Sequence, residues 1–448
     1  AVADAVRAAV AGAGRTVLFS GATVASSLAV LFVFPFPFLS SFAYAGIAVV
    51  LTAVVGATVI LPAALMLLGH RAARRRPADP RREAGFWFRL STAVMRRPVV
   101  SGGAALVVLL GLGAPALGVD FGSPDDRILP SSQPVRAMYD TIRADFATED
   151  ADAIQVVAPS LPDADIAPYA AALSELDGVE RVDTHTDGTG AWFAVVPTGE
   201  RLAEDPTGLV ADVRALPAPA DVLAGGYPAE LTDYRDGVVD RLPLVGVLIL
   251  GVTFVVLFLM TGSMVAPLKA SVLNLLSLSV MFGVLVWGFQ DGGLAGLLGF
   301  TPTGVIEPSI PLLMFCIAYG LSMDYEVFLL ARIKEDYDRT GDVYGSVPRG
   351  IARSAPLVTA AAMILAVSFA VYATGEVVFL QQLGIGMALA VLVDATLIRG
   401  VLVPALMRLA GRANWWAPGP LRRLHDRIGL REDAAAHPPQ TDMAVLLD

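Results

Sequence analysis

Residues 309–332 read SIPLLMFCIAYGLSMDYEVFLLAR. As a helix this stretch crosses a bilayer, since about 20 residues at about 1.5 Å rise span the hydrocarbon. Asp324 lies roughly two thirds of the way along it, followed directly by Tyr325 and Glu326. A carboxyl group at that depth is costly and is expected to face a protein interior or water, where it has work to do. Gly320, one turn before, shares the face of Asp324 and leaves room for another helix to come close. Glu326 falls about 200° further round and points elsewhere. The expectation is therefore a proton-exchanging site, with a purely structural acid as the competing reading.

The rest of the chain supplies a matching frame. Its 448 residues are 55% hydrophobic and only 17% charged, where soluble domains carry about 25% charged residues. Cys316 is the one cysteine and sits inside an apolar helix, so no disulfide or thiolate cluster can form within the chain. The four histidines (His70, His185, His425 and His437) are scattered, which argues against a metal site, and no cofactor is implied.

Eight spans are expected, at about 17–34, 43–69, 99–118, 242–261, 266–288, 309–331, 355–374 and 379–410. Residues 1–16 read as a short helix ending at Gly14, Arg15 and Thr16. Residues 70–97 form an Arg-rich linker with Arg71, Arg74, Arg75, Arg76, Arg81, Arg82, Arg89, Arg96 and Arg97. Arginines beside spans mark the cytoplasmic side, a commoner role than a nucleic-acid patch, and no nucleic-acid partner is expected. With 70–97 inside, the segment holding Arg332, Lys334, Arg339, Arg349 and Arg353 is also inside. So is the tail of 412–448, whose end is expected to be disordered, with Trp415 and Trp416 as interface anchors.

Residues 119–240 then lie outside. They hold 24 acidic residues against seven arginines. Strand-like runs at 153–159, 178–184, 191–197 and 222–225 alternate with helix-like runs at 166–178 and 205–216. That order predicts a small α+β domain of the split βαβ type.

An internal repeat adds a further expectation. GRTVLFSGATVASSLAV from Gly14 aligns with APLVTAAAMILAVSFAV from Ala355, placing Ser27 on Ser368. LPAALMLLG (61–69) then matches VPALMRLAG (403–411) after one gap. Repeats within membrane bundles mark transporter folds. On that logic one soluble domain and four spans precede Ala1, and the chain is the C-terminal portion of a longer protein.

Two further groups are candidates. Thr16, Ser20, Thr23 and Ser27 fall at helical spacing as one polar stripe. They either bond their own i−4 carbonyls or reach across towards the titrating acid. Asp394 sits in the middle of the last span with Arg399 five residues on. Five residues turn an α-helix by about 500°, so the two are not expected to share a face. Asp394 is left open between a functional acid and a structural one satisfied by hydroxyls or by Arg399 of its own helix end. The expected partner of Asp324 is an acid on another helix, in the missing half.

The stretch IAYGLSMDYEVFLLARIKEDYDRTGD (317–342) resembles the second Asp–Tyr helix of the MMPL family (mycobacterial membrane protein large) in the resistance–nodulation–division superfamily. GRTVLFSGATV (14–24), DRLPLVGVLIL (240–250) and LVDATLIRGVLVPALMRLAG (392–411) resemble further family segments. The resemblance implies a polytopic α-helical plasma-membrane protein with an extracytoplasmic α+β porter-like domain. It implies Asp324 and Tyr325 as the tenth-span half of a proton relay, with Ser20 nearby, and with Gly320, Glu326 and Asp394 as possible neighbours. It also implies proton-driven export of lipids or other hydrophobic molecules to the cell envelope. The fourth-span Asp–Tyr partner is absent from this chain, so residues 1–448 alone are not expected to transport. Two rival functions remain: a non-transporting sterol-sensing or scaffold protein, and an intramembrane aspartyl protease using Asp324 with Asp394. Substrate and oligomeric state are not readable.

Overall fold

The structure is a computed structural model, and it describes residues 2–69, 85–122, 126–145, 153–199, 201 and 206–428. The part of the linker at 70–84 and the tail end at 429–448 lie outside the described residues.

The chain is a polytopic helical membrane protein with one small antiparallel sheet domain. Helix α1 (Val2–Ala29) leads by a 3₁₀ turn into α2 (Pro37–Leu68). A short helix α3 (Phe86–Arg96) precedes α4 (Pro98–Gly118). Helix α5 (Pro134–Asp145) opens the sheet domain, which contains β1 (Ile154–Ala158), α6 (Asp163–Ser174), β2 (Val179–Thr186), β3 (Ala191–Pro197), α7 (Pro206–Ala215) and β4 (Leu223–Gly225). The bundle is completed by α8 (Tyr227–Thr261), α9 (Val265–Gln290), α10 (Ser309–Thr340), α11 (Ser346–Tyr372) and α12 (Val378–Trp415), and α13 (Gly419–Ile428) follows.

Seven of these helices (α2, α4 and α8 to α12) are long and apolar enough to cross a membrane. The eighth expected span is a shorter apolar stretch, Val17–Val33, at the end of α1. The break expected at Gly14–Thr16 is absent, because α1 runs unbroken from Val2 to Ala29. A single glycine costs a helix interior only about 1 kcal/mol, which the flanking alanines and packing offset.

The sheet has strand order β2-β3-β1-β4, with every neighbouring pair antiparallel. Period-2 alternation decides which face is covered. Ile154, Val156, Phe193 and Val195 point to one side and are buried against Tyr169 and Leu173 of α6 and Leu209, Val210 and Val213 of α7. Val157 and Trp192 stay partly exposed on the other face, where His185 stacks on the Trp192 ring. This is the expected split βαβ arrangement. Helix α5 is an addition that the sequence pattern did not mark.

The two ends of the bundle are chemically distinct. At one end Trp415 stacks on Tyr337 with Lys334 above it, Arg408 lies over Tyr344, and Ser263 donates to the carbonyl of Asn414. At the other end Gln290 bonds the backbone of Gly118 and Asp120, Phe121 bridges to Ile306, and Tyr234 donates to Glu307. The sheet domain belongs to this second end, opposite the arginine-bearing segments.

The internal repeat is visible in the backbone. In α2 a π-helical turn (Gly56–Ile60) precedes Leu61–Leu68, which carries Pro62 and ends at Gly69 with φ 52°. In α12 a π-helical segment (Asp394–Leu402) precedes Val403–Ala410, which carries Pro404 and ends at Gly411 with φ 52°. Both glycines hold a positive φ that other residues rarely adopt. The repeat differs in chemistry: counting back from the matched glycines, Thr52 and Ala57 stand where α12 has Asp394 and Arg399.

Candidate functional site

Helix α10 sits at the centre of the bundle and touches α1, α8, α9, α11 and α12. It crosses α1 closely at Gly320. A methyl group there would meet the Ser27 hydroxyl at 2.7 Å and the Val24 Cα at 3.3 Å, so only glycine allows this approach. Ser27 uses the proximity to bond the Cys316 carbonyl at 3.1 Å. One turn beyond Gly320, Asp324 lies on the face of α10 turned towards α1, near Ser20. Its Oδ1 is buried without a partner.

The polar stripe on α1 is therefore mixed in use. Thr23 bonds the Phe19 carbonyl at 2.9 Å within its own helix. Ser20 and Ser27 reach across to α10. The side chain of Thr16 lies outside the described residues. Among the described residues Ser20 of α1 lies beside Asp324, and the acidic partner expected from the missing half is not tested by them.

The second acid departs from α-helical spacing and takes the structural alternative. Asp394 and Arg399 form an ion pair at 2.5 Å, and both are buried. The reason is local: residues 394–402 are π-helical. Closing hydrogen bonds at i→i+5 winds the chain more loosely and brings residues five apart onto one face. Arg399 also donates to the Ser322 carbonyl at 2.8 Å, and its guanidinium lies 5.0 Å from the centre of the Tyr325 ring. Ser322 in turn donates to Asn274 at 2.6 Å.

Arg399 thus ties α12 to α10 through the Ser322 carbonyl, and Asn274 ties α10 to α9. Between these helices lies a cavity of about 20 Å³, lined by Asn274, Ser277, Ser322, Tyr325 and Asp394 among others. That is room for about one water molecule with polar partners on several sides. Glu326 lies on the far side of α10, only 2% exposed, where the nearest balancing charge is Lys269 of α9. Lys269 bonds Asn414 at 3.4 Å.

The aspartyl-protease pairing is not formed. It requires two carboxyls that share a proton, whereas Asp394 is paired with Arg399 and Asp324 faces Ser20. Sequence reading set Arg399 apart from Asp394 and passed over Asn274, Ser322 and Lys269. A lone amide in VLNLLSLS and a lysine inside an apolar helix were the available signals.

The model of the MMPL family matches residues 1–101 and 130–434. The chain belongs to the MMPL family. A membrane protein of Streptomyces coelicolor is 41% identical over 98% of this chain and 62% of its own length. The trehalose monomycolate exporter MmpL3 of Mycolicibacterium smegmatis is 32% identical over 96% of this chain and 47% of its own. The mycolic acid-containing lipids exporter MmpL11 of the same species is 34% identical over 93% and 46%. The chain therefore spans about half to three fifths of these MMPL relatives. Among solved structures, the hedgehog release protein Disp of the water bear Hypsibius dujardini superposes with a TM-score of 0.55 at 12% identity, over 89% of this chain and 58% of that one. A heavy metal efflux pump does so with 0.52 at 14%, over 88% and 58%. These two likenesses concern the fold alone.

Proposed function

We propose that this MMPL chain carries the proton-exchanging half of a gradient-driven exporter of lipids or other hydrophobic molecules to the cell envelope. The observation behind it is a charge count in the bundle core. Among the described residues, Asp324, Glu326 and Asp394 face only two cations, Lys269 and Arg399. With every group ionised, the core holds one uncompensated negative charge in a low-dielectric medium. Such a charge is costly there, and the inexpensive remedy is one bound proton.

Asp324 is the carboxyl that carries this proton. Each of the three carboxyls has one buried oxygen without a partner. Asp394, however, has its cation in direct contact and Glu326 has Lys269 on its side of the helix, whereas Asp324 has the Ser20 hydroxyl nearby and Arg399 already engaged by Asp394. A serine hydroxyl can accept from the protonated acid or donate to the carboxylate, so it serves both states. Protonation at Asp324 also removes a charge within reach of Arg399, which holds the Ser322 carbonyl and stacks on Tyr325. Gain and loss of the proton would thus bias the packing of α10 against α1 and α12. Tyr325, Ser20 and Gly320 act here as neighbours that shape the site, and Asp394 as the fixed half of a structural ion pair.

Lipid cargo is supported by the relatives MmpL3, a trehalose monomycolate exporter, and MmpL11, an exporter of mycolic acid-containing lipids. The test is replacement of Asp324 by Asn at the chromosomal locus of the native host, followed by analysis of envelope lipid extracts. Loss of one envelope lipid, with the protein still made and inserted, supports this reading. Unchanged envelope lipids would contradict it and favour a non-transporting role.

A further inference from the structure

Helix α3 (Phe86–Arg96) falls inside what the sequence presents as linker, yet it is folded onto the bundle. It packs against α11 and α12, with Ser91, Val94 and Met95 buried. Its outward stripe carries Arg89 and Arg96, with Arg97 directly after, at spacing i, i+7, i+8. All three arginines are exposed, and Phe86 beside them is 63% exposed.

The charge on this stripe is unbalanced, unlike that of its neighbours. At the same end of the bundle Arg332 pairs with Glu335, Lys334 with Asp338, and Arg339, Arg349 and Arg353 all contact Asp336. Arg89, Arg96 and Arg97 are in no ion pair among the described residues. Residues 85–118 contain no Asp or Glu at all. The next element, α4, enters the membrane directly at Pro98.

We infer that α3 is an interfacial helix whose Arg89, Arg96 and Arg97 bind the headgroups of anionic phospholipids in the leaflet on this side. A helix with one apolar face, an exposed aromatic ring and a row of arginines lies in the headgroup plane, where anionic lipid supplies the missing negative charge. Guanidinium groups hold phosphate by paired, charge-assisted hydrogen bonds. The helix sits against the segment bearing Arg399, since a methyl group on Gly400 would meet the Trp87 ring at 3.2 Å. Headgroup binding at α3 therefore bears on the packing of the same helix that holds the core ion pair.

The test uses the whole chain in nanodiscs of equal parts phosphatidylglycerol and phosphatidylcholine, with retained lipids counted by native mass spectrometry. Wild type is expected to retain phosphatidylglycerol preferentially. The triple variant Arg89→Gln, Arg96→Gln, Arg97→Gln is expected to lose roughly tenfold or more in apparent affinity for it. The matching Arg→Lys triple variant keeps the charge and should keep most of the preference. These positions are exposed, so folding is checked by an unchanged elution profile. Equal retention of the two lipids by wild type, or undiminished phosphatidylglycerol retention by the glutamine variant, would overturn the assignment.

Discussion

Asp394 and Arg399 are five residues apart and in direct contact, because the helix between them is wound to an i→i+5 pattern. The pair has no cheap substitute inside a membrane bundle. Removing one partner leaves the other charge buried and alone, at a cost of about 3–5 kcal/mol. Asp394→Asn and Arg399→Met are each expected to lower the unfolding midpoint in detergent markedly. The double variant Asp394→Leu, Arg399→Met should recover much of that loss. A double-mutant cycle in thermal unfolding reads this directly, and additive losses would show that the contact is not an ion pair.

Gly320→Ala tests the closeness of α1 and α10. The added methyl meets both a side chain and the Val24 backbone. Overpacking of this kind costs about 1–3 kcal/mol. The helices must separate, and the hydroxyl of Ser20 moves away from Asp324. Lower thermal stability with an altered Asp324 environment is expected, and Gly320→Ser should behave in the same way.

Glu307 clasps the first turns of α8, which follow the sheet domain, to the start of the central helix. Glu307 accepts from the backbone N–H of Ser309 at 3.1 Å and of Ile310 at 3.2 Å, capping α10, and it also accepts from the Tyr234 hydroxyl at 3.0 Å. Tyr234 in turn packs edge-on against Phe36. Tyr234→Phe keeps the ring and loses the hydroxyl, at a cost of about 1.5–3 kcal/mol for a bond to a charged acceptor. Faster amide exchange at 227–239 and at the start of α10 is the expected result. Glu307→Gln should loosen the same two segments.

The α10–α11 loop carries its own pH dependence. Asp342 accepts from the N–H groups of Gly345 and Tyr344, and these bonds, with Arg349 beside them, hold its carboxyl below the usual carboxylate range. A carboxyl lowered by folding stabilises above its unfolded value of about 4 and loses that contribution as pH falls below it. Protease protection of residues 341–345 should therefore fall in this acid window. Asp342→Asn should show reduced protection above this window, converge with wild type below it, and lack the acid step that Asp342 contributes.

Much of the architecture was legible in the sequence because its signals are long. Apolar runs and Arg-rich segments marked the bundle and its two ends, and four alternating runs marked the sheet. Asp324 and Gly320 were readable because a carboxyl and a glycine one turn apart share a face whatever surrounds them. The Asp394–Arg399 pair was readable only as one alternative, because α-helical spacing argues against it and nothing in DATLIRGVL announces a π-helical segment. Helix α3 was hidden by its arginines, which resemble those of the linker before it. The facing of Lys269 and Glu326 depends on how α9 packs on α10, which no local pattern encodes.

The most direct measurement is infrared difference spectroscopy of the purified chain during a pH titration, following the protonated-carboxyl band. On this account wild type shows one such band near neutral pH, Asp324→Asn abolishes it, and Asp394→Asn leaves it in place. A band that persists in Asp324→Asn would mean that the exchangeable proton sits on another carboxyl, and the assignment of Asp324 would fail.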